Sequence, residues 1–168
     1  IYVAGHAGLV GSALVKVIGE HPQLQLVTCP RQELDLRDAN AVHAFISRER
    51  PDCVLMAAAK VGGIQANKEH PVEFLLENLA IQTNILNACN ANGVERVLFF
   101  GSNCAYPRTA AQPIQESALL TGPFEPTNSA FATAKIAGIE LCRAYNQQHG
   151  RRYLSVMPTG LYGPGDDY

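Results

Sequence analysis

Three glycines spaced three apart, Gly5, Gly8 and Gly11, close the opening run IYVAGHAGLVG and precede an amphipathic segment. A strand that turns tightly into a helix uses them in different ways. Gly5 supplies the turn, Gly8 lets a pyrophosphate come against the backbone, and Gly11 lets helix and strand touch. With His6, Ala7, Leu9 and Val10 between them, they form a phosphate cradle whose N–H groups and helix dipole favour an anion. Glycines also punctuate ordinary loops. The position of these three, after a strand-like run and before a helical one, is the context that dinucleotide binding requires.

Further candidates stand at later strand ends. Arg31 follows the second strand-like run. A carboxylate there grips the ribose of NAD, whereas an arginine suits the 2′-phosphate, so NADP(H) is the expected cofactor. The alternative for Arg31 is a solvated surface cation. Asp35, with Leu36 beside it, reads as a loop residue or as a partner for the adenine amino group. Ala57, Ala58 and Ala59 are small enough to let a cofactor lie on the backbone, or to let a helix pack tightly on the sheet. Gly101 and Ser102 end the fourth run, where a serine hydroxyl can donate to a substrate carbonyl. Phe131 and Lys135, four apart on a helix, share a face. Lys135 interrupts an apolar stretch, and a cofactor ribose would account for it; a snorkelling surface lysine is the alternative. Pro158, after the last run, completes the expected cofactor contacts.

The elements that must position these residues alternate. Strands are expected at Ile1–Ala4, Gln25–Cys29, Cys53–Ala57, Arg96–Phe100 and Tyr153–Met157, and helices near 9–20, 38–49, 71–92 and 128–149. In the third helix Val72, Leu75, Leu79 and Leu86 form one apolar stripe. Such alternation implies an α/β fold: a doubly wound parallel sheet of the Rossmann type over residues 1–168, with ligands beyond the carboxyl ends of the strands.

Composition narrows the class. The chain has 168 residues, 47% hydrophobic and 17% charged, with a net charge of −2 and no basic stripe, so a nucleic-acid partner is not expected. No apolar run approaches the roughly 20 residues of a membrane span. Five scattered cysteines without a CxxC pair suit reduced thiols and a cytoplasmic setting, and no metal site is expected. The chain begins within a strand and stops after the loop-like GPGDDY, so it is expected to be part of a longer protein.

The segments GHAGLVGSA, AAAKVGGI, CAYP, ESALLTGPFEPTN, AKIAGIELC and SVMPTGLYGP run in order through the chain. On these it resembles the extended short-chain dehydrogenase/reductases, and among them the epimerase/reductases of GDP-bound 4-keto-6-deoxymannose. The resemblance implies the cofactor-binding half of such an enzyme, with most of the substrate domain and the epimerisation histidine beyond Tyr168. It implies epimerisation at C3 and C5 and hydride transfer from NADPH to C4, which would yield GDP-L-fucose. In the family a serine matching Ser102 polarises the keto oxygen, a cysteine matching Cys104 is the epimerisation base, and a lysine matching Lys135 holds the nicotinamide ribose. The family tyrosine that protonates the oxygen is replaced by Phe131, which has no proton to give. Loss of a positioned general acid costs about 10²–10⁴-fold in rate, so reduction is expected to be impaired. Ala7 stands where the family carries an arginine, and Gly160 where it carries a substrate-facing asparagine. A homodimer through helices 71–92 and 128–149 is implied by analogy. Another nucleotide-sugar epimerase or dehydratase, and a non-catalytic dinucleotide-binding protein, are the alternative readings.

Overall fold

Four short apolar runs pair as parallel strands in the computed structural model, which describes residues 1–164 and 166. They are β1 (Tyr2–Ala4), β2 (Cys53–Met56), β3 (Arg96–Phe100) and β4 (Arg152–Val156), in the order β1-β2-β3-β4. The register sets Tyr2 opposite Val54, Val54 opposite Val97, and Val97 opposite Tyr153. These four side chains therefore share a face, and all four are buried. Gly165, Asp167 and Tyr168 of the GPGDDY stretch lie outside the described residues.

The helices are α1 (Leu9–Gly19), α2 (Ala39–Glu49), α3 (Ile64–Glu69), α4 (Pro71–Ala91) and α5 (Ser129–His149). Local chemistry sets their ends. The Asp38 carboxylate accepts from the N–H groups of Asn40 and Ala41 at 2.9 and 3.0 Å, capping α2. Pro71 opens α4, where its missing N–H costs nothing, and Gly150 closes α5 in the left-handed conformation at φ 63°. Helices α2, α4 and α5 form one layer, α4 packing between the other two, while α1 lies against β1. Right-handed crossovers explain the split. From β1 the chain moves outward to Val27, then reverses past β1 to β2, so α1 and the other three helices fall on opposite faces. The main core lies beneath the three-helix layer, where Tyr2 meets Phe45 at 4.8 Å between ring centroids.

Two expectations are corrected. The strand over Gln25–Cys29 shrinks to a single bridge between Val27 and Tyr2. Pro30 ends it by restricting Cys29 and offering no N–H, and β1 itself is only three residues long. The apolar stripe of α4 is not its core face: Val72 is 61% exposed, and of the four stripe residues Leu86 alone is buried. The buried face instead carries Phe74, Asn78, Gln82, Ile85 and Cys89. Two amides can sit there because backbone satisfies them: Asn78 accepts from Lys60 N at 2.9 Å and Gln82 donates to Ala134 O at 2.7 Å. A short helix, α3, also forms between β2 and α4; Gly63 caps it, and Asn67 donates back to the carbonyls of Gly62 and Gly63.

Candidate active site

The reversal of strand order at β1 opens a crevice at the carboxyl ends of β1 and β2. A cavity of about 640 Å³ fills it, within the range of small-ligand sites. Residues 5–10 line it from the first turn, Arg31, Asp35 and Leu36 from beyond Val27, and residues 57–59 from the end of β2. Twelve of the residues expected to hold a cofactor thus meet in one place.

The glycine turn works through backbone contact. Gly5 has φ +81°, and a Cβ there would lie 2.5 Å from Ala58 N. A Cβ on Gly11 would lie 2.0 Å from Gly5 O, so α1 starts hard against the end of β1. Gly8 differs: a Cβ would meet only Gly5 O, at 3.7 Å, and the space before it opens to the cavity. Ala57 and Ala58 line the cavity, and the close backbone neighbour they admit is the Gly5 turn rather than a helix. These are the features a dinucleotide pyrophosphate needs, and the chain fits such a cofactor on this count.

Charge gathers at the far end of the cavity. Arg37 pairs with Asp35 at 2.7 Å and Glu77 at 3.3 Å, and Lys60 lies 3.6 Å from Glu77. The Arg37 guanidinium hydrogen bond holds the Asp35 carboxyl down at about 2. Asp35 is therefore an anion at any working pH. Arg31 makes no ion pair among the described residues. Sequence reasoning missed Arg37, Lys60 and Glu77; their signal, opposite charges distant in sequence, appears only after folding.

The other predicted residues gather at the end of β3. Ser102 follows the strand and caps a 3-10 turn, Asn103–Ala105, its Oγ accepting from Cys104 N at 3.3 Å. That leaves the hydroxyl proton free to donate. Lys135 is 6% exposed and donates from Nζ to Phe100 O at 2.7 Å. Its Nζ stands 5.0 Å from the centroid of the Phe99 ring and 5.6 Å from that of Phe131. Burial pulls its amine down to about 8. The surface-lysine reading is thereby excluded. Small residues permit this depth: Ala132 and Ala134 are fully buried, and a Cβ on Gly138 would come within 2.3 Å of Phe99 Cζ.

Phe131 turns its ring toward Phe74, edge to face at 6.4 Å, and carries no hydroxyl to the site. Gly11, Gly101, Ser102, Lys135 and Pro158 do not line the cavity. Gly11 and Gly101 act by closeness instead, Gly101 lying under Met157 Sδ, which a Cβ would meet at 2.5 Å. At Gly160 a Cβ would meet nothing within 4 Å among the described residues, so no steric demand there explains the glycine. Asn128, which sequence reasoning left without a role, donates from Nδ2 to Cys104 Sγ at 3.2 Å.

Among the described residues no helix is long and apolar enough to cross a membrane, no cluster suits a metal, and the five cysteines are free.

Relatives share this architecture. GDP-L-fucose synthase of Escherichia coli (strain K12) is 51% identical over 168 residues, which cover all of this chain and 52% of that protein. GDP-L-fucose synthase 1 of Arabidopsis thaliana is 52% identical over the same length and is likewise covered to 52%. The structure of a GDP-L-fucose synthetase from Naegleria fowleri bound to NADP superposes with a TM-score of 0.86 at 34% identity, over 97% of this chain and 54% of that one. The chain thus spans about half the length of the curated relatives it matches. The pattern of the NAD dependent epimerase/dehydratase family runs through residues 1–168, and the chain belongs to that family.

Proposed function

We propose that the chain is the NADP-binding, catalytic half of an epimerase/reductase that takes GDP-4-keto-6-deoxymannose to GDP-L-fucose, with its reduction step impaired at Phe131. The observation that carries this reading is Lys135. A buried ammonium with no carboxylate partner among the described residues is costly. It is explained where its charge serves a bound ligand at the end of β3. The names of the relatives supply the substrate class.

In this reading residues 5–10 and 57–59 hold the pyrophosphate and adenosine, Arg31 meets the 2′-phosphate, and Lys135 meets the nicotinamide ribose. Gly101 and Pro158 flank the nicotinamide end. When bound, NADPH supplies a hydride. Ser102 donates its hydroxyl proton to the keto oxygen, which stabilises negative charge there. Cys104 Sγ takes the proton from a carbon next to that carbonyl, the electron pair passes into the enolate, and a proton returned by an acid on the opposite face re-forms the C–H bond with inversion. Phe131 offers no acid for the oxygen, so epimerisation outruns reduction. A second copy pairs through α4 and α5, where Val72 and Leu76 stand 61% and 58% exposed. The cysteines suit a reducing, cytoplasmic setting.

The test uses the full-length protein with GDP-4-keto-6-deoxymannose and NADPH in deuterium oxide. Deuterium is expected at C3 and C5, with little NADPH oxidised. A different sugar product would favour another nucleotide-sugar epimerase or dehydratase. Tight NADPH binding with neither exchange nor oxidation would favour a non-catalytic dinucleotide-binding protein, the reading that Phe131 itself suggests.

A further inference from the structure

Two turns far apart in sequence meet at one sulfur. Cys104 sits in the 3-10 turn after β3, and Asn128 in a second one, Pro126–Asn128, just before α5. Asn128 Nδ2 lies 3.2 Å from Cys104 Sγ, whereas Asn128 Oδ1 is buried without a partner among the described residues. An amide placed this way satisfies the sulfur at the expense of its own oxygen. Folding stability does not reward that arrangement, because a buried acceptor left unpaired is a loss. The turn that aims Asn128 is fixed separately. The Glu125 carboxylate accepts from Thr127 N at 2.7 Å and from the Thr127 hydroxyl, and Glu125 O accepts from Asn128 N at 3.3 Å. The Thr127 hydrogen bond also holds the Glu125 carboxyl below its usual range, so that carboxylate is engaged with its own turn. Tyr106, beyond Cys104, has its phenol raised by burial and then by Glu116, and Lys135 is turned to Phe100 O.

We propose that Asn128 is a positioning residue for Cys104: its amide N–H fixes the sulfur in one place and stabilises negative charge on it. An N–H aimed at sulfur favours the form that accepts a proton, which is the form the epimerisation needs. The inference rests on the reading of Cys104 as the base, and it adds a residue to that site.

The experiment follows alkylation of Cys104 by iodoacetamide across pH in the full-length protein, read by mass spectrometry, with Cys104→Ser as the blank. Asn128→Ala removes the amide. Asn128→Asp keeps its shape but puts a carboxylate where the donor was. Both variants are expected to alkylate about tenfold more slowly at pH 7, and the pH of half-maximal rate should move up. Asn128→Asp should be slowed at least as much as Asn128→Ala, while NADPH affinity stays unchanged. A profile coincident with the parent's, in either variant that still binds NADPH, overturns the proposal. Loss of NADPH binding in both variants overturns it too, since Asn128 would then hold the fold. Deuterium exchange at C3 and C5 separates the two readings. If the variants alkylate slowly but the parent exchanges nothing, the positioning stands and the epimerisation reading falls.

Discussion

The two clusters at the strand ends are built from different materials. At the β1–β2 end, close contact is made of backbone: Gly5 against Ala58 and Gly11 against Gly5, beside the cavity that residues 5–10 line. At the β3–α5 end it is made of single side-chain atoms: Ser102 Oγ, Cys104 Sγ, Asn128 Nδ2 and Lys135 Nζ. The difference governs what a substitution can do. Ala7 brings no long side chain to the turn, and residues 5–10 line the cavity all the same. Phe131 lacks one oxygen atom, and on the proposed mechanism a whole chemical step loses its acid. Shape tolerates loss of a side chain, and chemistry does not.

The sharpest way to test that contrast is to restore the missing atom. Phe131→Tyr in the full-length protein should raise NADPH oxidation with the 4-keto sugar by about 10²–10⁴-fold, equivalent to roughly 3–5 kcal/mol of barrier. NADPH affinity should stay close to the parent's, because the substitution adds only a hydroxyl. If turnover stays flat while binding is normal, catalysis fails for a reason outside this residue.

The backbone end breaks in the opposite sense. Gly11→Ala sets a methyl 2.0 Å from Gly5 O and 2.8 Å from His6 Cα, both backbone atoms that cannot turn aside. Overpacking of this kind costs about 1–3 kcal/mol, so melting temperature and NADPH affinity should fall together. Gly8→Ala is the control, since its methyl would meet only Gly5 O at an ordinary 3.7 Å. Its melting temperature should match the parent's while NADPH affinity drops, as measured by calorimetry. An unchanged affinity would mean that no phosphate lies against this turn.

The titration of Lys135 reports on the protein without any ligand. Its amine falls from 10.5 to about 8 in the folded chain, and at 1.36 kcal/mol per unit that is about 3 kcal/mol of strain on the charged form. The unfolded chain binds the proton more tightly, so folding gains from rising pH. The gain begins near pH 8, is complete above about 10.5, and is lost as pH falls back through 8. Lys135→Met removes the penalty. Its stability advantage over the parent in urea should therefore be largest at pH 7 and shrink by pH 10. A constant difference between those pH values would mean that the lysine reaches solvent.

Legibility in the sequence followed the same division. The glycine turn and the small residues at Ala57–Ala59 could be read because a backbone contact demands a small residue type, and that demand is local. The span of β3 was read as Arg96–Phe100 and forms over those same residues. The core face of α4 was misread because Asn78 and Gln82 look exposed by type, and only the backbone of Lys60 and Ala134 makes them buried. Nor could Asn128 be assigned, since its partner lies 24 residues away and reaches it only when two turns meet. Arg37 and Glu77 are a similar case, 40 residues apart. Long-range side-chain contacts leave no periodicity to read.

The smallest expected effect concerns which dinucleotide enters. Asp35 and Arg37 neutralise each other, and Lys60 leans on Glu77, which leaves Arg31 as the exposed cation of the cavity without an ion pair among the described residues. If Arg31 meets a 2′-phosphate, Arg31→Ala should weaken NADPH by about tenfold, near 1.4 kcal/mol, and leave NADH where it was. The effect should shrink with added salt, because the contact would be solvent-exposed. Equal losses for both dinucleotides would place Arg31 on the shared part of the cofactor. No loss for either would make it a surface cation. With Ala7 in the turn, a tenfold preference resting on one exposed arginine is what the chain has to offer, and Ala7→Arg should enlarge it. That gain would show the backbone end borrowing the other end's rule, in which a single side chain decides the outcome.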